Sequence, residues 1–267
     1  MSRSRFRLVP RNLFGAGIAA LVLAFTGCNT VPVTGRQQFN MMPAGEEMQL
    51  GISEFSKMKT SVPINHDPKL NALIQRVGHR IAAVAAADMP NAQWEFVVFE
   101  SKEANAFCLP GGKVGIYTGI LPITRDENGL ATVMGHEVAH AVARHGGGRM
   151  SQANAINMVG TGLGAAVNGS KYGAFATTAY GLGTQLGIAL PHSRHQESEA
   201  DEIGMVYMAR AGFPPASAVG FWQRFAQFNQ QQGKATLWFL RTHPLDEKRI
   251  ADLQKLLPKV QIQFKPH

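Results

Sequence analysis

At 267 residues, 45% hydrophobic and 16% charged, the chain is too apolar for a disordered protein and long enough for one large domain or two small ones. Its formal net charge is +8, but Arg3, Arg5, Arg7 and Arg11 fall in a first stretch of 27 residues that holds no acid. The remaining +4 is an ordinary surface charge, so no nucleic-acid partner is read into the basic excess.

Residues 1–12 are basic, residues 13–25 form a short apolar run, and Thr26-Gly27-Cys28 follows. That order is the layout of a secretory signal, and the run is too short to span a bilayer comfortably. The ending resembles a bacterial lipoprotein signal, with Phe25 where a large aliphatic residue is usual. The resemblance implies a signal peptide over 1–27 and lipidation of Cys28, which tethers the chain to a membrane at about 0.8 kcal/mol per buried CH₂. An ordinary signal cut near Gly27, or an uncleaved anchor, is the alternative. Asn29 rather than Asp after the cysteine implies the outer membrane, by resemblance to enterobacterial sorting.

Residues 28–42, with Pro32 and Gly35, read as a linker or extended arm, leaving 43–267 as the functional domain. A first helix is expected over 43–58 and a second over 68–87. The second has Asp67 as its N-cap, Pro68 at its first position, and Leu70, Leu73, Ile74, Val77, Ile81 and Val84 at helical spacing. Residues 94–99 (WEFVVF) read as a strand. Asn105, Ala106, Phe107, Cys108 and Leu109 lead through Pro110-Gly111-Gly112 into a second extended run at 114–118, which predicts a hairpin. An exposed edge of that hairpin can take an extended substrate as an added strand; a plain core hairpin fits the same letters. Two cysteines are too few for a disulfide framework, and Cys108 reads as a small hydrophobe.

Residues 135–140 read G-H-E-V-A-H among apolar neighbours. On a helix, residues four apart share a face, so His136 and His140 can both present an imidazole to one zinc ion. Glu137, about 100° round, can reach a water beside the metal and take its proton. The alternative is an amphipathic core helix with two incidental histidines. Asp126 and Glu127 open this helix, which is expected to reach His145 and to end at Gly146-Gly147-Gly148. A straight helix aims His145 away from the ligand face, as a capping or supporting residue. Residues 150–190 are Ala/Gly-rich and nearly uncharged. They read as two closely packed helices, with a membrane hairpin or a mobile flap as alternatives.

A zinc hydrolase site keeps three protein ligands and one open position, so a carboxylate must come from elsewhere in the chain. Glu197 and Asp201, four apart at the start of a further helix, share a face; Glu199 points elsewhere and is expected to be solvated. A helix over 214–228, a polar loop and a closing helix with Arg249, Ile250, Leu253 and Leu256 complete the chain.

Four motifs carry a family resemblance: N-A-F-x-L-P-G-G at 105–112, G-H-E-V-A-H at 135–140, S-R-x-x-E-x-E-A-D at 193–201 and T-H-P-x-x-x-x-R-I at 242–250. In this order the chain resembles the gluzincin metallopeptidases that include the CAAX prenyl protease, the bacterial heat-shock membrane protease and the β-barrel assembly-enhancing protease. It is most like their single-domain lipoproteins. The resemblance implies a mainly α, α+β zincin-like domain with a small sheet beside the H-E-x-x-H helix. It implies one zinc per chain on His136, His140 and Glu197, with Glu137 as general base and Asp201 as proton donor or supporting partner. His243 matches a family histidine beside the metal, either steadying the oxyanion or filling the open position as a latch. The implied function is an endopeptidase at the outer membrane, facing the periplasm. It would degrade unfolded or misassembled envelope proteins, with the outer-membrane assembly machinery as a candidate partner. The rival class is a zinc-stabilised envelope chaperone with little turnover.

Overall fold

A computed structural model describes residues 28–152, 154–156, 193–231, 239, 243 and 247–266. The expected signal peptide and the greater part of the Ala/Gly-rich stretch lie outside the described residues. Two short strands, β1 (Cys28–Thr30) and β2 (Gln37–Phe39), pair antiparallel, with Asn29 opposite Gln38. This corrects the reading of 28–42 as a linker or extended arm. The segment is a hairpin whose side chains hydrogen-bond to the body of the protein.

Helix α1 (Ala44–Ser61) buries Gly51 and Phe55 and carries Glu46 and Glu47 in its first turn. Helix α2 (Pro68–Ala85) starts as predicted, with the Asp67 carboxylate accepting from the backbone N–H groups of Lys69 and Leu70. Its Ile74, Val77 and Ile81 are fully buried. Strands β3 (Glu95–Phe99), β4 (Ala106–Leu109) and β5 (Lys113–Tyr117) form one mixed sheet in the order β3-β5-β4. β5 pairs parallel with β3 and antiparallel with β4. Gly111 and Gly112 turn the β4–β5 hairpin at φ +88° and +78°, conformations that only glycine adopts without strain. The expected hairpin is therefore present, and β4 is an edge.

Helix α3 (Glu127–Val142) is capped by Asp126, whose carboxylate accepts from Gly129 N, and is buried from Gly129 to Val142. A helix apolar on every side belongs at the centre of a domain, and α3 packs on α2, β4 and two later helices. These are α4 (Arg194–Arg210) and α5 (Ala216–Gln231), and α6 (Glu247–Gln261) closes the chain. One core joins Val133 and Met134 of α3, Ile203 and Tyr207 of α4, Phe221, Trp222 and Phe225 of α5, and Leu253 of α6. The fold is α+β and mainly α, zincin-like, as the resemblance implied. No described helix is long and apolar enough to cross a membrane.

Candidate metal centre

Helices α3 and α4 cross where two glycines meet. A Cβ on Gly135 would lie 3.0 Å from the Gly204 carbonyl oxygen, and a Cβ on Gly204 would lie 3.0 Å from the backbone of Gly135 and His136. The lack of side chains there lets the backbones approach closely enough for His136 to face the first turns of α4. The start of α4 is fixed by a capping box: Ser193 Oγ accepts from Gln196 N, and Ser193 N donates to Gln196 Oε1. Glu197 and Asp201 then project from one face, as their spacing predicts.

Four buried side chains converge between the helices: His136, His140, Glu197 and His243. His136 Nε2 lies 3.1 Å from His140 Nε2 and 3.2 Å from His243 Nδ1. Glu197 lies 3.4 Å from His136, 3.3 Å from His140 and 3.0 Å from His243. Ligands at 2.0–2.1 Å from a tetrahedral zinc stand about 3.3 Å from one another, so this donor set fits such an ion. A buried carboxylate oxygen, Glu137 Oε1, makes no hydrogen bond and lies 3.5 Å from His243 Nε2.

Asp201 stands behind His136. Its Oδ1 is 3.0 Å from His136 Nδ1, the nitrogen opposite the one in the cluster, and both its oxygens accept from Arg249 at 2.6 and 2.8 Å. These contacts place Asp201 between the His136 ring and Arg249. Arg249 also lies 2.6 Å from Glu197 and rests on the Trp222 ring, 3.8 Å from its centroid. Its role was missed in the sequence. The signal available was a charged residue in register with the apolar stripe of Ile250, Leu253 and Leu257.

Burial raises the Glu197 pKa, but Arg249 and the three histidines outweigh it and hold the carboxyl well below its usual range. Asp201 is lowered in the same way, chiefly by Arg249. Burial pulls His136 down, while Asp201 and Glu197 overcome it and raise it to about 9. Glu137 moves up because burial outweighs the pull of His243 and His136, the direction that suits a general base.

Two expectations are corrected. Helix α3 does not run to His145 and stop at the three glycines. It ends at Val142, Arg144 takes φ +52°, and the chain is helical again from 145. The break swings His145 back, so that its Nδ1 lies 2.8 Å from His140 Nδ1. Glu199 is not solvated: it is 5% exposed and bonds His145 Nε2 at 2.9 Å. Its pKa falls to about 2, because His145, Arg36 and Thr34 together outweigh the cost of burial.

A cleft of about 370 Å³ opens beside Glu137, His140 and His243 and is lined on its far side by residues 105–110 of β4 and its flanks. No described strand pairs with the outer edge of β4. Cys108 lines this cleft, and its thiol pKa is pushed up by burial and then by Glu137, so it stays protonated.

The fold and this centre define a metallopeptidase. The match of residues 68–257 to the model of peptidase family M48 makes the assignment specific: the chain belongs to that family. It is 35% identical over 257 residues to the mitochondrial metalloendopeptidase OMA1 of Schizosaccharomyces pombe, covering 94% of this chain and 73% of that one. It is 31% identical over 264 residues to the mitochondrial metalloendopeptidase OMA1 of Saccharomyces cerevisiae, covering 90% of this chain and 74% of that one. Against the beta-barrel assembly-enhancing protease of Escherichia coli K12 it is 30% identical over 262 residues, covering 92% of this chain and 52% of the longer relative.

Proposed function

We propose that the protein is a zinc endopeptidase with one zinc on His136, His140 and Glu197, and Glu137 as its general base. When bound there, zinc supplies a Lewis acid that polarises the scissile carbonyl and makes a water nucleophilic near neutral pH. The chain does the rest. Glu137 takes the proton as the water oxygen bonds to the carbonyl carbon, and returns it to the amide nitrogen as the C–N bond breaks. Arg249 and Asp201 keep His136 in register, and the open edge of β4 (Ala106, Phe107, Leu109, preceded by Asn105) receives the substrate as an extended strand. The observation that carries this reading is the unbonded, buried Glu137 Oε1 beside a zinc-sized donor set. The test is Glu137→Gln with casein as substrate. Cleavage should fall at least about 100-fold while zinc stays bound, in line with loss of a general base. A variant that cuts as well as the wild type would remove the mechanism.

The setting we propose is the bacterial envelope, with Cys28 lipidated at the outer membrane and misassembled envelope proteins as substrates. The relatives' names point to two compartments, but a continuous apolar run at 13–25 followed by Thr26-Gly27-Cys28 favours a lipoprotein signal over an amphipathic transit peptide.

A second reading is favoured by one observation. His243 Nδ1 stands within 3.2 Å of His136 Nε2 and 3.0 Å of Glu197, at the corner a water would need. His243 is then a latch, and the described form is the resting one. His243→Ala should raise casein turnover several-fold. Slower turnover would instead assign His243 to the transition state. Absence of turnover in both forms would support a zinc-stabilised chaperone.

A further inference from the structure

His140 has two ring nitrogens with different tasks. Nε2 faces the cluster, whereas Nδ1 meets His145 Nδ1 at 2.8 Å inside the protein. Only one of that pair can carry the proton of the bond. On the other side, His145 Nε2 lies 2.9 Å from Glu199 Oε2, an oxygen that cannot donate while the carboxyl is ionised. The His145 proton is therefore on Nε2, its Nδ1 is the acceptor, and His140 must donate from Nδ1. That choice leaves the lone pair of His140 on Nε2, where a metal needs it.

The carboxylate that starts this sequence is held from a distant part of the chain. Arg36 Nε donates to both Glu199 oxygens at 2.9 Å, Arg36 Nη2 donates to Oε2 at 2.6 Å and Thr34 Oγ1 donates to Oε1 at 2.7 Å. Thr34 and Arg36 sit on the turn of the β1–β2 hairpin, next to Val33, a β-branched residue at φ +69°. Such a backbone costs energy and persists only where its surroundings impose it. Beside them, Gln38 Nε2 donates to the carbonyls of Ala143 and Arg144, across the break that turns His145 inward.

We infer that Glu199 and His145 are positioning residues that fix the tautomer and ring plane of His140, and that the N-terminal hairpin, through Arg36 and Thr34, is a working part of the metal centre. The inference rests on the reading of His140 as a zinc ligand. It gives the segment following Cys28 a task unrelated to tethering: a chain whose hairpin lets go of Glu199 binds its metal less tightly.

The experiment measures zinc affinity of the full chain by competition with a chromophoric chelator, with the cobalt-substituted absorption spectrum as a second readout. Glu199→Ala and His145→Phe should each weaken zinc binding by about 10- to 100-fold, the usual effect of losing such a support. Arg36→Ala should weaken it by about tenfold, and combining it with His145→Phe should add nothing, since both cut one path. The cobalt bands should shift in every variant. Arg36→Lys, which keeps the charge and loses the fork, serves if the alanine variant does not fold, and should again weaken zinc binding. Wild-type affinity and spectrum in folded Glu199→Ala or Arg36→Lys would overturn the inference while leaving the zinc peptidase reading intact. Wild-type protein that takes up no zinc would overturn both.

Discussion

His136 is held from three directions: Asp201 on Nδ1, Arg249 alongside, and the Trp222 ring edge-on beneath it with centroids 5.4 Å apart. Arg249 bears most on this balance, because its guanidinium faces two buried carboxylates, Glu197 and Asp201. Arg249→Met keeps the bulk but leaves both acids with less than they need, so the metal-free protein should lose about 3–5 kcal/mol in denaturant unfolding. Zinc should recover part of that loss by supplying positive charge to Glu197. A variant as stable as the wild type in chelator would show that the arginine does not carry the pair. At this scale the sequence displayed the side chains that converge here, because H-E-x-x-H and the Glu197/Asp201 spacing are local periodicities. It hid the contacts of Arg249 with Asp201, 48 positions away, of His145 with Glu199, 54 away, and of Glu199 with Arg36, 163 away.

The elements place the site through one contact. The glycines of α3 and α4 touch backbone to backbone, and His136 and Asp201 lie within one turn of that crossing. Gly204→Ala has no flexible side chain to push aside and must separate the helices by a few tenths of an ångström. It should cost about 1–3 kcal/mol, measured by denaturant unfolding in chelator, and weaken zinc binding as Glu197 and Asp201 draw back from His136. Unchanged stability would mean that the crossing is looser than it looks. Helix starts were legible: Asp67 caps α2 as its side chain predicts, and α3 opens at the acids Asp126 and Glu127. The end of α3 was not, because three glycines are a usual stop signal and Arg144 at φ +52° is not a sequence feature. The hairpin at 28–39 was read as a linker for a related reason. Its strands are three residues each, and their stability comes from Arg36 and Gln38 reaching other parts of the chain.

On the scale of the molecule, described segments far apart in the sequence, the β1–β2 hairpin and α6, converge on the metal centre. The hairpin reaches it through Glu199 and His145, and α6 reaches it through Arg249. Between them α3 is buried in a core rich in aromatic side chains, with Trp222, Phe225 and Phe239 packed below His136 and His243. A centre assembled from such separated segments exists only in the folded chain, so binding a metal there stabilises the fold. The most direct measurement is the metal content of the purified full chain beside its Glu197→Ala variant, by mass spectrometry after dialysis against a weak chelator. The expected result is about one zinc per wild-type chain and little or none in the variant. Wild-type protein without a transition metal, or a variant that keeps a full equivalent, would contradict it.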